Sequence, residues 1–278
     1  MTLSVIKYTK DDKRPDQDYL FCGVDARISG TQKENASVDI YTNAAIKILP
    51  LQLKLSPLDC IECKIWPLSY DIGFTYAGHV GVSLYTYALL SYLCKDIHFT
   101  TPEIKDSMPF PSIESIAVLA RNILLDYIKD YGSILTMEAF AQIVLFGFCP
   151  QKHDFVVYNI EPKISKYEGV DVTITNIDIK NIPYFAIGSG KKGFAQNITQ
   201  NGGELKSGMI RKFIENQECN SSVGGYYQRA VYSRNGLTLY SESPSSDIEM
   251  KMLGRYGMVY SLGTHYISLT STLRCDYE

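Results

Sequence analysis

Thr2 can present two reactive groups on one residue. If Met1 is removed, the new chain end carries a hydroxyl beside a free α-amine. That amine, with a reference pKa of about 7.7–8.0, can act as base for its own threonine oxygen. A threonine hydroxyl is a poor nucleophile at neutral pH, so the chemistry also needs a positive charge close to the oxygen. Methionine is usually trimmed before a small residue such as Thr, and Met1 is expected to be lost here. Other spacings carry less. Cys60-Ile61-Glu62-Cys63 is a lone CxxC with no second pair and no nearby His, and no metal site is assigned to it. The seven cysteines are scattered and odd in number, which fits reduced thiols.

The elements that must position Thr2 are legible from the start of the chain. Thr2 to Thr9 is rich in β-branched and aromatic residues and reads as a strand. A charged turn follows, and Tyr19-Leu20-Phe21-Cys22-Gly23-Val24 reads as the returning strand, ending in Asp25-Ala26-Arg27-Ile28-Ser29-Gly30. A strand beginning at residue 2 pins the chain end inside a sheet, where most termini fray.

Farther on, Ala44 to Leu51 reads as a short strand stopped by Pro50, with a loop over 53–58. Ile72 to Gly78 reads as a buried strand. A helix is predicted over 79–97 with Val82, Tyr85, Leu89 and Leu93 on one face. Ser112 is a candidate N-cap for a second helix, which Gly132 ends. Met137–Phe148 and Phe155–Ile160 read as two strands. Helices are predicted after Gly188-Ser189-Gly190 and over 204–218. Tyr226–Ser233 and Leu237–Ser243 form strands around Arg234-Asn235-Gly236, where Asn-Gly favours a tight turn. The tail from 245 alternates apolar and polar residues and adds strands. Segregated in this way, the order implies an α+β fold with helices on both outer faces of two stacked antiparallel sheets.

Composition narrows the function. The chain has 278 residues, 45% hydrophobic, with a net charge of -3, enough to bury a substantial core. No basic run is present, which argues against nucleic acid as a partner. With no apolar leader and no stretch long enough to cross a bilayer, the expectation is a soluble, cytoplasmic protein with no membrane association.

Five segments, taken in order, resemble one family. Asp25-Ala26-Arg27-Ile28-Ser29-Gly30 after an N-terminal hairpin is similar to the second-strand motif of proteasome β-type subunits and of the peptidase subunit of the bacterial two-component ATP-dependent protease. Lys64-Ile65-Trp66-Pro67-Leu68 with Ile72-Gly73-Phe74-Thr75-Tyr76-Ala77-Gly78 resembles their lysine strand and the turn after it. Phe140 to Pro162, ending Val157-Tyr158-Asn159-Ile160-Glu161-Pro162, is similar to their central hairpin. Ala186-Ile187-Gly188-Ser189-Gly190 resembles the Gly-Ser-Gly turn. The family is the threonine-type N-terminal-nucleophile (Ntn) hydrolases. The resemblance implies a single four-layer α/β/β/α domain over 1–278, with 31–60 as an insertion and 245–278 as a C-terminal extension.

By the same resemblance, Thr2 attacks a peptide carbonyl and its α-amine shuttles the proton. Lys64 lowers the hydroxyl's pKa, Asp25 holds the ammonium, the Gly78 N–H donates to the oxyanion, and Ser189 bonds near the terminal amine. Arg27 and Ser29 face the substrate. Lys47, in Lys47-Ile48-Leu49-Pro50, competes for the lysine role. Lys64 is preferred because only it has the Ile72–Gly78 run at the expected distance. Where the family usually carries an Asp and a Ser before a Gly-Gly-like turn, this chain has Asn220 and Val223 before Gly224-Gly225. The resemblance implies a peptide or protein substrate, no cofactor, a ring-like homo-oligomer and a possible ATPase partner. The other reading is a catalytically silent scaffold on the same fold.

Overall fold

Successive residues of the first strand are aimed at different cores. Leu3 and Val5 pack with Phe194, Ile198, Ile210 and Ile214, whereas Ile6 packs with Leu20, Val144, Phe146 and Val157. The first half of the strand is buried on both faces, where Ser4 shares a hydrogen bond with the Thr75 hydroxyl at 3.1 Å. The two-residue period also fixes the functional end: Thr2 is in phase with Ser4 and Ile6.

The computed structural model describes residues 2–11, 14, 17–30, 39–43, 45–57, 68–99, 110–135, 139–165, 169–206, 208–217, 221–234, 236–242, 259–262, 265–268 and 273–276. The first half of the chain forms β1 (Ser4–Thr9), β2 (Tyr19–Asp25), β3 (Ile28–Ser29), β4 (Ile40–Thr42), β5 (Ile48–Pro57), β6 (Leu68–Gly78), α1 (Val80–Cys94), β7 (Ile97–Phe99) and α2 (Ile113–Leu135). Next come β8 (Ala141–Cys149), β9 (Asp154–Ser165), β10 (Gly169–Ile177), β11 (Phe185–Ile187), α3 (Lys191–Gln200) and α4 (Met209–Glu215). The chain then forms β12 (Tyr227–Ser233), β13 (Gly236–Glu242), β14 (Val259–Leu262), β15 (His265–Ser268) and β16 (Leu273–Asp276).

Two six-stranded sheets dominate, ordered β11-β1-β2-β12-β13-β16 and β10-β9-β8-β6-β5-β7. The expected antiparallel pairing holds in their interiors; the edge pairs β13·β16 and β5·β7 are parallel. One cluster joins apolar residues of the two sheets to each other. A second packs β5, β6, β8 and β9 against α1 and α2, and a third packs β1 against α3 and α4. Ser112 caps α2 as expected, its Oγ accepting from Ser115 N at 3.0 Å. No helix among the described residues is long and apolar enough to cross a membrane.

Several expectations need correction. β5 does not stop at Pro50 but runs to Pro57, so 53–57 is strand and not loop. Pro50 is tolerated because β7 meets β5 only at Leu55–Pro57 and Pro50 therefore has a strand partner, Gly73, on one side only. Pro162 likewise lies within β9, beyond the last β8 pair at Ile160. β10 was not expected at all, and α2 continues through Gly132. In α1 the period is right and the phase is not: Val82, Thr86 and Leu90 are buried, while Tyr85, Leu89 and Leu93 are 38–49% exposed. The Ser83 and Thr86 hydroxyls donate to the carbonyls of His79 and Val82, so these polar residues can face the core.

Candidate active site

Three strand ends converge on Thr2. β1 and β2 pair with Ser4 opposite Val24, which sets Leu3 beside Asp25. β5 and β6 pair from Ile48↔Thr75 to Leu55↔Leu68. Lys47 flanks the first end of that ladder, near Gly78. The Lys47 Nζ donates to Thr2 Oγ1 at 2.8 Å, to Asp25 Oδ1 at 3.2 Å and to the Arg27 carbonyl at 2.6 Å. Three acceptors match the three N–H bonds of an ammonium, whereas a neutral amine has only two. Thr2 Oγ1 accepts from Lys47, so its own O–H is left to donate elsewhere. Asp25 is held in turn: Leu3 N donates to Oδ1 at 2.8 Å and Gly224 N to Oδ2 at 3.2 Å.

Lys47 and Asp25 are almost wholly enclosed. Burial pushes the Asp25 carboxyl up and the Lys47 ammonium down, and each charge opposes the shift of the other.

Lys64, the lysine preferred from sequence, lies outside the described residues; the lysine that the structure brings to Thr2 is Lys47. The ladder shows why Lys47 is there. β5 is a full ten-residue strand, so the partner of the Ile72–Gly78 run at the Thr2 end is the start of β5. Lys47 is further fixed by Gln228, which sequence reasoning missed. Gln228 Oε1 accepts from Lys47 N at 3.0 Å and its Nε2 donates to the Ala45 carbonyl at 2.6 Å. The amide thus extends β12 sideways by imitating a backbone pair, and no local sequence pattern announces that.

The glycines keep the backbone around Thr2 tight. Gly188 has φ +89°, and a Cβ there would stand 2.0 Å from the Thr2 carbonyl oxygen. Gly190 N donates to that same carbonyl at 3.2 Å. Gly78 has φ +95° and is closed in by the Phe140 carbonyl. A cavity of about 320 Å³ opens beside Thr2, with Gly78, Gly188 and Ser189 in its wall. Ser189 is exposed.

Arg27 and Ser29 were expected on the substrate side, Ser29 through its backbone. The Arg27 guanidinium is buried and turned inward, Nε donating to Asn43 Oδ1 at 2.7 Å and Nη1 to the Ser221 carbonyl at 2.6 Å. It braces the turn whose Gly224 N–H reaches Asp25. Ser29 lies on the short β3, and its Oγ is buried without a hydrogen bond among the described residues. Asn220 is outside the described residues, as are Cys60 and Cys63. Val223 is 3% exposed and packs in the core beneath α3 and α4. Among the described residues no His, Cys, Asp and Glu group could hold a metal ion.

No protein-family model matches the chain, and no curated protein matches it. Among solved structures it is similar to Anbu (ancestral beta-subunit) from Yersinia bercovieri, with a TM-score of 0.51 and 12% sequence identity. The match covers 92% of this chain and 93% of that one. At that identity the likeness concerns the fold, which is proteasome-like.

Proposed function

We propose that this chain is a threonine-type Ntn hydrolase cleaving peptide or amide bonds, built as a four-layer α/β/β/α sandwich. The observation that carries the reading is Lys47 Nζ at 2.8 Å from Thr2 Oγ1, with Asp25 behind it. That is the charge a threonine nucleophile needs, built from three separate strand ends and buried at some cost in desolvation. The three apolar clusters support the layer order of helices, sheet, sheet, helices.

Once everything preceding Thr2 is removed, the α-amine takes the hydroxyl proton while Thr2 Oγ1 bonds to the substrate carbonyl carbon. Lys47 stabilises the forming alkoxide. The Gly78 N–H donates to the oxyanion, where glycine lets the substrate approach. The proton passes to the leaving amine, the C–N bond breaks, and an acyl ester remains on Thr2. Water, deprotonated by the same amine, then hydrolyses the ester. Ser189 bonds near the amine, and Asp25 holds Lys47. The chain assembles as a homo-oligomer, with a possible ATPase partner.

A second reading, a silent proteasome-like scaffold, draws on Val223: a buried valine stands where the resembled family has a hydroxyl that supports the amine. Intact mass and a threonine-directed electrophile separate the two. The hydrolase reading expects a mass beginning at Thr2 and one adduct on Thr2, lost in Thr2→Ala and kept in part in Thr2→Ser. A retained Met1 with no adduct leaves the scaffold reading, with Lys47–Asp25 as a structural pair.

A further inference from the structure

We propose that the cavity beside Thr2 is a subsite for a cationic group of the bound peptide, a lysine or arginine side chain, with Glu161 as its counter-charge. The assignment of the cavity to a peptide rests on the hydrolase reading above; the charge preference rests on the cavity itself. Among the described residues ten line it, and of these Glu161 has the one ionisable side chain. The rest of the far wall is Phe140, Ala141 and Pro162, with Gln142 as the other polar group.

Glu161 is not a loose surface carboxylate. Its backbone is in β9, paired with Thr173 of β10. Its Oε2 accepts from Gln142 Nε2 at 3.2 Å, and that same nitrogen donates to the buried Asn159 Oδ1 at 2.9 Å. The Gln142 amide is therefore anchored to the strand core and fixes the glutamate from one side. A carboxylate can accept about four hydrogen bonds, so most of this acceptor capacity is unused. Among the described residues no lysine, arginine or histidine forms an ion pair with Glu161, although seven other carboxylates have such a partner. Lys47 is engaged with Thr2 and Asp25, and Arg121 with Asp171.

A fixed, half-buried carboxylate in a concave site with apolar walls attracts a cation more strongly than one in open water, because the local dielectric is lower. Arginine meets it with two parallel N–H donors and lysine with one charge-assisted bond. An acidic side chain is repelled from the same cavity, and a neutral one leaves the carboxylate partly desolvated without a partner.

The test uses the full chain carrying Thr2→Ala, which keeps the cavity and stops the chemistry. Fluorescent hexapeptides identical except for one residue, arginine, citrulline or glutamate, scanned through the six positions, are titrated by anisotropy. At one position arginine is expected to bind about tenfold or more tighter than its neutral isostere citrulline. Adding Glu161→Gln should bring that ratio near one, and Glu161→Lys should turn the preference to glutamate. Glutamine keeps an Oε for Gln142, so thermal melting of Glu161→Gln should match the parent. Equal binding of arginine and citrulline peptides, binding of none, or a preference that survives Glu161→Gln overturns the proposal. Arginine preference without turnover or Thr2 labelling in the parent chain leaves the subsite standing and removes the hydrolase. Labelling and turnover indifferent to charge do the reverse.

Discussion

Lys47 Nζ and Thr2 Oγ1, 45 residues apart in sequence, stand 2.8 Å apart inside the molecule. The contact belongs to a buried chain of Thr2, Lys47 and Asp25, so its removal should act on both chemistry and stability. Lys47→Met is expected to abolish electrophile labelling of Thr2 and to cost about 3–5 kcal/mol in denaturant unfolding, because Asp25 keeps its burial and loses its counter-charge. Lys47→Met with Asp25→Asn should regain part of that stability and none of the labelling. Lys64→Ala, run alongside, should label normally; loss of labelling there with none in Lys47→Met would return the role to Lys64.

Gly188 makes the second prediction. Its φ of +89° is strained for any L side chain, and a Cβ would lie 2.0 Å from the Thr2 carbonyl. Gly188→Ala should cost about 1–3 kcal/mol from the backbone alone. It should also push the Thr2 carbonyl off the Gly190 N–H, so labelling falls further than stability does. Gly169→Ala is the comparison: its φ is +78° but a Cβ there meets nothing within 4 Å. It should show the stability loss and leave labelling intact. Equal labelling in both variants would mean the Gly188 turn does not position Thr2.

These two sites differ in how far the sequence exposed them. The β-branched and aromatic run of β1 and the Gly188-Ser189-Gly190 turn are local signals, and the structure brings both to Thr2. Asp25 was placed by the resemblance, and the structure sets it beside Lys47. Lys47 and Lys64 both fit a lysine strand in sequence, and only Lys64 has the Ile72–Gly78 run at the expected distance along the chain. A proline reads as a strand stop unless the neighbouring strand is known to be absent at that point, and the register of β7 is a tertiary fact. With β5 read as ending at Pro50, its full ladder with the Ile72–Gly78 run is not visible in the sequence. The phase of α1 was hidden for a different reason: it has apolar residues all round, so periodicity alone cannot choose a face. Gln228 joins strands far apart in sequence, and the Gln142–Glu161 bond crosses the open end of the β8–β9 hairpin; neither has a local pattern.

The third prediction follows from that second apolar face. Tyr92 is 75% exposed, Tyr85 49%, Leu93 40% and Leu89 38%, all on α1. Such a concentration on one helix is unusual for a surface left in water. Light scattering should give a mass several times the 31.3 kDa of the chain. Leu89→Lys with Leu93→Lys should reduce it while preserving the circular dichroism spectrum, since neither residue is in the core. A monomer at micromolar concentration in the parent chain would remove the assembly.

The last prediction concerns pH and the far end of the first hairpin. Tyr8 Oη donates to Asp18 Oδ2 at 2.5 Å, and Asp11 N donates to Oδ1 at 2.9 Å. The Tyr8 bond, first, and the Asp11 N–H hold the Asp18 carboxyl below the usual carboxylate range. Burial, then Asp18, pushes the Tyr8 hydroxyl up to about 12. For Asp18 the folded pKa lies below the unfolded one of about 3.9. Its contribution is therefore present above that value and lost as pH falls through the folded pKa. For Tyr8 the folded pKa lies above the unfolded value of about 10. Its contribution is present below that value and lost as pH rises through about 12. Tyr8→Phe should thus cost on the order of 1 kcal/mol across neutral pH. The gap to the parent chain should narrow below about pH 4 and again at strongly alkaline pH, read as the difference in melting temperature at each pH. A gap that stays constant from acid to neutral pH would mean the Tyr8–Asp18 bond contributes nothing to holding β1 against β2, and with it nothing to the strand that ends at Thr2.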